Sequence, residues 1–68
     1  MQSELVMGYI VYVNGNATKV GRSLEEAKRL AEEHMVNRQP LRIESAVAPA
    51  PGQVWNYDYQ IRAWVEGK

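Results

Sequence analysis

The dipeptide Asn14-Gly15 most narrows what this chain can fold into. It lies between the apolar run Leu5-Val6-Met7-Gly8-Tyr9-Ile10-Val11-Tyr12-Val13 and a short return from Ala17 to Val20. A type I′ turn needs positive φ at both central positions, and Asn and Gly accept that conformation at least cost. The twist of this turn matches that of two paired strands, so Asn-Gly between β-branched and aromatic runs predicts a tight antiparallel hairpin. The expected strands are residues 5–13 and 17–21. Two strands alone are marginal in water, so the rest of the chain must cover and extend them.

The cover follows directly. Ser23-Leu24-Glu25-Glu26 has the form of a capping box, in which the Ser hydroxyl accepts from the amide of Glu26 and the Glu26 carboxylate reaches back. Leu24, Ala27, Leu30, Ala31, His34 and Met35 then recur at spacings of three and four, which places them on one face of a helix. Glu25 with Arg29, Lys28 with Glu32, and Arg29 with Glu33 form i,i+4 pairs on the opposite, wet face. Asn37 is the expected left-handed cap, and Pro40 forbids continuation. The pattern predicts a helix over about 23–36.

Beyond the helix, Leu41-Arg42-Ile43-Glu44-Ser45 alternates apolar and polar residues and reads as a half-buried strand, about 41–46. Ala46-Val47-Ala48-Pro49-Ala50-Pro51-Gly52 reads as a stiff Pro-rich loop over 46–52. From Val54 onward, Trp55, Tyr57, Tyr59, Ile61, Ala63 and Val65 occupy alternate positions, with Asn56, Asp58, Gln60 and Arg62 between them. This alternation predicts one long strand over about 54–65, longer than usual and therefore bent or bulged. The rival is a hairpin turning near Asp58 to Ile61, which would pair Trp55 with Trp64 and Tyr57 with Arg62. The sum is β-β-α-β-β. A single α+β domain spanning residues 1–68 is expected, with a four-stranded antiparallel sheet and one amphipathic helix packed on one face.

Composition then limits the chemistry. The chain has 68 residues, 46% of them hydrophobic, and no Cys. That is room for one domain, and the lack of Cys excludes disulfide scaffolds, thiolate nucleophiles, zinc ribbons and iron–sulfur centres. Ordering costs about 1.5 kcal/mol per residue, so an unstapled chain of this size must bury its aromatics heavily. Eight basic and eight acidic residues leave a formal net charge of zero, so no global field draws the chain to nucleic acid or anionic lipid. Met1-Gln2-Ser3-Glu4 lacks the basic start of a signal peptide, and Leu5 to Val13 is about half of the roughly 20 residues that a membrane span needs. A cytoplasmic protein without a membrane partner is the expectation.

No catalytic constellation stands out. His34 has no second His or Cys to complete a metal site, and its place near the helix C-terminus fits packing or a dipole interaction. Glu25, Glu26, Glu32 and Glu33 lie on one solvated helix face beside basic neighbours, whereas catalytic carboxylates oppose each other across a cleft. Ser23 is used as a cap, and the glycines are too dispersed to cradle a phosphate. The chain is expected not to be an enzyme and to carry no cofactor, metal or small-molecule substrate.

The aromatics remain. One helix cannot bury both faces of a sheet, and Ile10, Tyr12, Val54 and Trp64 oppose the main apolar rows of their strands. Together with Arg62 they are the candidate partner-binding residues, on a helix-free face whose apolar patch fits a protein partner or a second copy of the chain. An uncovered edge strand offers the same opportunity. The alternative is a single-stranded nucleic-acid-binding module, with Tyr57 or Trp64 stacking on bases and Arg42 or Arg62 on phosphates.

Overall fold

The computed structural model describes residues 7–47 and 52–67. Within them the order is β1 (Met7–Val13), β2 (Asn16–Gly21), α1 (Leu24–Glu32), a single 3₁₀ turn (Met35–Asn37), β3 (Leu41–Val47), β4 (Val54–Asp58) and β5 (Ala63–Gly67). The strands form one five-stranded sheet in the order β2-β1-β3-β4-β5, and every neighbouring pair is antiparallel. An α+β domain with an antiparallel sheet and one helix is therefore present. The sheet has five strands rather than the expected four.

The first hairpin forms for the reason that its turn predicts. Asn14 and Gly15 have φ of 57° and 85°, and Val13 pairs with Asn16 directly across them. The register slips between Val11 and Tyr12, which leaves Thr18 as an extra residue in β2, its hydroxyl donating to the Asn16 carbonyl at 2.9 Å. At the other end, Gly21 delivers the chain to the helix. The Ser23 hydroxyl accepts from the Glu26 amide at 3.1 Å, and Glu26 Oε1 accepts from the Arg22 amide at 2.7 Å. The capping box thus closes one residue further back than its usual form.

The helix is shorter than 23–36. It ends at Glu32, and the amide of His34 turns to the carbonyl of Ala31, tightening the chain into the 3₁₀ turn. The left-handed residue is Arg38, with φ 54°, and not Asn37, which is the last residue of the 3₁₀ turn. The Arg38 guanidinium lies 5.0 Å from the centre of the Tyr59 ring, which gives this strained position a compensating contact.

The largest departure lies at the end of the chain. Residues 54–65 do not form one long strand but a hairpin, β4 and β5 joined by a turn over 59–62. Asp58 pairs with Ala63 and Tyr57 with Trp64, so the register also sits two residues away from the rival pairing of Trp55 with Trp64. Two hydrogen bonds, one of them to a distant residue, and a left-handed residue explain the wider turn. Asp58 Oδ1 accepts from the Gln60 amide at 2.9 Å, the Tyr59 hydroxyl donates to the Gln39 carbonyl, and Arg62 takes φ 56° to re-enter the ladder. Alternation of apolar residues continues through this turn because Tyr59 packs back on Tyr57, ring centres 4.8 Å apart and edge to face. The expected strand at 5–6 and most of the expected Pro-rich loop lie outside the described residues, and β3 continues through Ala46 to Val47.

Arg62 gains no ring contact of the kind that Arg38 makes among the described residues. A left-handed conformation costs a non-glycine residue about 1–2 kcal/mol, and glycine avoids it at a smaller entropic cost. Arg62→Gly is therefore expected to raise stability by roughly 0.5–1 kcal/mol, while Arg38→Gly gains little because it also loses the Tyr59 contact. Urea midpoints of the two variants against the parent check this, and a lowered midpoint for Arg62→Gly would refute it.

The core is small. Val11, Val13, Leu41 and Ile43 from β1 and β3 are buried against Ala27 and Ala31 of α1. Two alanines on the helix let it approach the sheet closely. A helix is about 10 Å across and strands repeat at about 4.8 Å, so one helix covers two or three strands and not five. Accordingly α1 packs on β1, β2 and β3. Beside it, Trp55, Tyr57, Tyr59 and Trp64 pack partly buried against the same core.

Candidate functional site

The register identifies which side chains share each face. Buried Val11 opposes Ile43, and Ile43 opposes Trp55, so those residues and their i±2 neighbours face the helix side. The opposite, helix-free face is built from two cross-strand rows. One runs Ala17, Tyr12, Arg42, Asn56, Val65, and the next runs Val20, Ile10, Glu44, Val54, Gly67, each from β2 to β5.

Charge lies at the middle of this face and apolar groups at its flanks. Arg42 Nε is 3.0 Å from Glu44 Oε2, and the Arg42 guanidinium lies 4.4 Å from the centre of the Tyr12 ring. The same Nε makes no well-directed hydrogen bond, so the Glu44 contact is electrostatic rather than a linear N–H···O bond. Stacking on Tyr12 and attraction to Glu44 together hold Arg42 flat against the sheet. The pair neutralises itself. Around it stand Ile10 and Val54, partly buried, and Val20 and Val65, 64% and 44% exposed. A shallow pocket of about 250 Å³ opens at one end, lined by Tyr12, Gly15, Pro40, Leu41, Arg42 and Asn56.

Of the five residues that the sequence nominates for a partner, the structure brings three together. Ile10, Tyr12 and Val54 share the helix-free face. Trp64 does not join them. Its ring is 5.2 Å from that of Tyr57, on the helix side, because the turn over 59–62 makes even-numbered residues of β5 face the same way as odd-numbered residues of β4. Arg62 sits in that turn rather than on either face. Arg42, which the sequence nominates only for the nucleic-acid alternative, is the centre of the face, and Val20 and Val65, which it does not nominate, are its rims. Arg42 was visible as an outward residue of the 41–46 strand; its stacking on Tyr12 needed the β1–β3 register.

The helix side carries five of the six aromatic residues. Tyr9 lies 6.0 Å from Trp55, centre to centre, and a second group of rings joins Tyr57 to Tyr59 at 4.8 Å and to Trp64 at 5.2 Å. Burial pushes the Tyr59 phenol above its ordinary pKa, against the opposing pull of the Arg38 charge. Lys19 on β2 pairs with Glu33 at the end of α1, Nζ to Oε1 2.8 Å, and this bond holds the Glu33 carboxyl below its ordinary pKa. His34 is partly buried, with Nε2 lacking a hydrogen-bond partner. Among the described residues no group of three or more His, Asp or Glu side chains is placed to hold a metal ion, and no helix is long and apolar enough to cross a membrane.

Comparison with protein-family models, curated proteins and solved structures finds no match for this chain. The functional reading therefore rests on the geometry of its own residues.

Proposed function

We propose that this chain is a small, non-catalytic protein-interaction module that binds its partner through the helix-free face of the sheet. The observation that carries the reading is the layout of that face. Apolar side chains, Ile10, Val54, Val20 and Val65, surround an Arg42–Glu44 pair that is already neutralised and held by Tyr12. An apolar patch with a few fixed polar groups at its centre suits a protein surface, which can bury the flanks and hydrogen-bond to the middle.

The nucleic-acid alternative draws less support from the same face. Arg42 there is paired with Glu44, and Tyr12 is the one ring on that face among the described residues. A single-strand platform combines several stacking rings with unpaired cations.

The test is affinity capture from the native lysate, using the parent chain and two variants, Tyr12→Ser and Val54→Asp, each shown folded by circular dichroism. Retention of a specific protein by the parent, unaffected by nuclease and tolerant of salt, is expected, with loss of that protein from both variants. Material that vanishes with nuclease, or whose retention falls steeply as salt rises, would transfer the function to the nucleic-acid reading. A retained protein indifferent to both substitutions would remove the open face from the account.

A further inference from the structure

The two edges of the sheet are built differently. The β2 edge carries the devices by which natural sheets prevent unwanted pairing. Its register is broken by the bulge at Thr18, it bears Lys19, and it is bound to the helix through the Lys19–Glu33 pair. The β5 edge carries none of these. It pairs with β4 in unbroken register from Val54 opposite Gly67 to Asp58 opposite Ala63, and it contains no Pro, Lys or Arg. Its one charge, Glu66, accepts from Gln53 Nε2 at 3.1 Å and is thereby drawn towards the start of β4. Among the described residues no strand pairs with its outer side.

We propose that the outer edge of β5 pairs antiparallel with β5 of a second copy of this chain, about a two-fold axis at Val65, joining two sheets into one of ten strands. The sequence Ala63-Trp64-Val65-Glu66-Gly67 is complementary to itself in that register. Val65 meets Val65 of the other copy, Ala63 meets Gly67, and each Glu66 lies opposite a Trp64 rather than opposite another carboxylate. Moving the axis to Glu66 would set like charges against each other, which destabilises a cross-strand pair. Moving it to Trp64 would run the ladder into the left-handed turn at Arg62. Only the axis at Val65 uses the whole strand.

For two copies of β5, the position of Glu66 therefore selects the register. A second copy also brings its own row of Ala17, Tyr12, Arg42, Asn56 and Val65 into line with the first, so the open faces become continuous across the axis. Five residues per copy bury less than the roughly 800 Å² per partner of a standard interface, so the association is weak and reversible. The inference deepens the interaction-module reading by naming one edge and one occupant, while resting on β5 and not on Tyr12 or Val54.

Sedimentation velocity over rising concentration tests it. The parent chain should move from monomer towards twice the monomer mass as concentration approaches the order of 1 mM. Val65→Lys, which places two cations face to face across the axis, should lower the association constant about tenfold or more, as should Val65→Glu. Mixing the two variants in equal amounts should restore association. Thr18→Lys at the bulge of the protected β2 edge, an exposed position, should leave it unchanged. A parent chain that stays monomeric throughout, or a Val65→Lys chain that associates as the parent does, overturns the proposal. Should the Val65 variants fail to fold, amide exchange in the parent decides. Protection that rises with concentration in β5 but not β2 supports the pairing, and its absence refutes it. Capture through the open face is read separately with Tyr12→Ser and Val54→Asp, which lie outside β5.

Discussion

Ile43→Ala is expected to cost this chain its cooperative folding transition. Ile43 is fully buried at the centre of the sheet, flanked by Val11 on one side and Trp55 on the other. Truncating a buried Ile to Ala costs about 2–5 kcal/mol, because the lost transfer energy is joined by that of an unfilled cavity. A domain of this size has about 3–5 kcal/mol to lose. The cavity collapses poorly, since Ala27 and Ala31, the buried residues of α1 in the same core, have no long side chain to swing inward. The expected result is a chain that melts broadly, or is already unfolded at 25 °C, with the fluorescence of Trp55 shifted to that of exposed indole. Ile43→Val should cost about 0.5–1.5 kcal/mol and keep a sharp transition, and Val36→Ala, at a residue 83% exposed, should stay within about 0.5 kcal/mol of the parent. A sharp melt of Ile43→Ala at the midpoint of Val36→Ala would show that the core is not where the structure places it.

The residues that predict that core are those whose signals are local. Asn14-Gly15 encodes a hairpin in two positions, and the Ser23 cap with the spacing of Leu24, Ala27, Leu30 and Ala31 encodes a helix and its buried face. Leu41 and Ile43 alternate with Arg42 and Glu44, and both prove buried. Each of these features is decided by neighbours within a few residues, so one sequence suffices to read it.

The second hairpin was harder to read because its turn leaves no gap in the pattern. Tyr59 and Ile61 continue the alternation of Val54 to Tyr57, and no Gly or Pro interrupts it. What bends the chain is tertiary: the Tyr59 hydroxyl on the Gln39 carbonyl, twenty residues away, and the Tyr59 ring on Tyr57. Once the turn exists, parity decides the rest. Trp64 crosses to the helix side, and the candidate surface loses its expected Trp while gaining the Tyr12–Arg42 stack. A binding surface is a list of side chains that share a face, and so it inherits every error in strand register. Ile10 and Tyr12 were legible because β1 is anchored by a turn written in the sequence; Trp64 was not, because its strand is anchored by one that is not.

Gly21→Ala is expected to have the second-largest effect, although it adds a single methyl group. Gly21 closes β2 against the first turn of α1, and a Cβ built on it would stand 2.7 Å from the backbone nitrogen of Ala27 and 3.0 Å from its Cα. Neither atom can rotate away. Ala27 is buried, and its amide donates to the Ser23 carbonyl at 2.9 Å, so relief requires moving the helix start off the sheet together with its cap. Overpacking of this kind costs about 1–3 kcal/mol. The opposing gain, from a stiffer unfolded chain, is about 0.4–1 kcal/mol, so the clash wins. Gly8→Ala supplies the comparison, since its Cβ would meet the Val20 Cγ1 at 3.2 Å, the end of an exposed side chain that can turn aside. The urea midpoint should fall clearly for Gly21→Ala and barely move for Gly8→Ala, with the slope unchanged in both. Equal midpoints would mean that α1 rides further from β2 than the Gly21–Ala27 approach requires. The helix would then owe its position to the Val11 and Ile43 surface alone, and the Lys19–Glu33 pair, exposed to solvent and screened by it, is too weak to hold it at the sheet edge in their place.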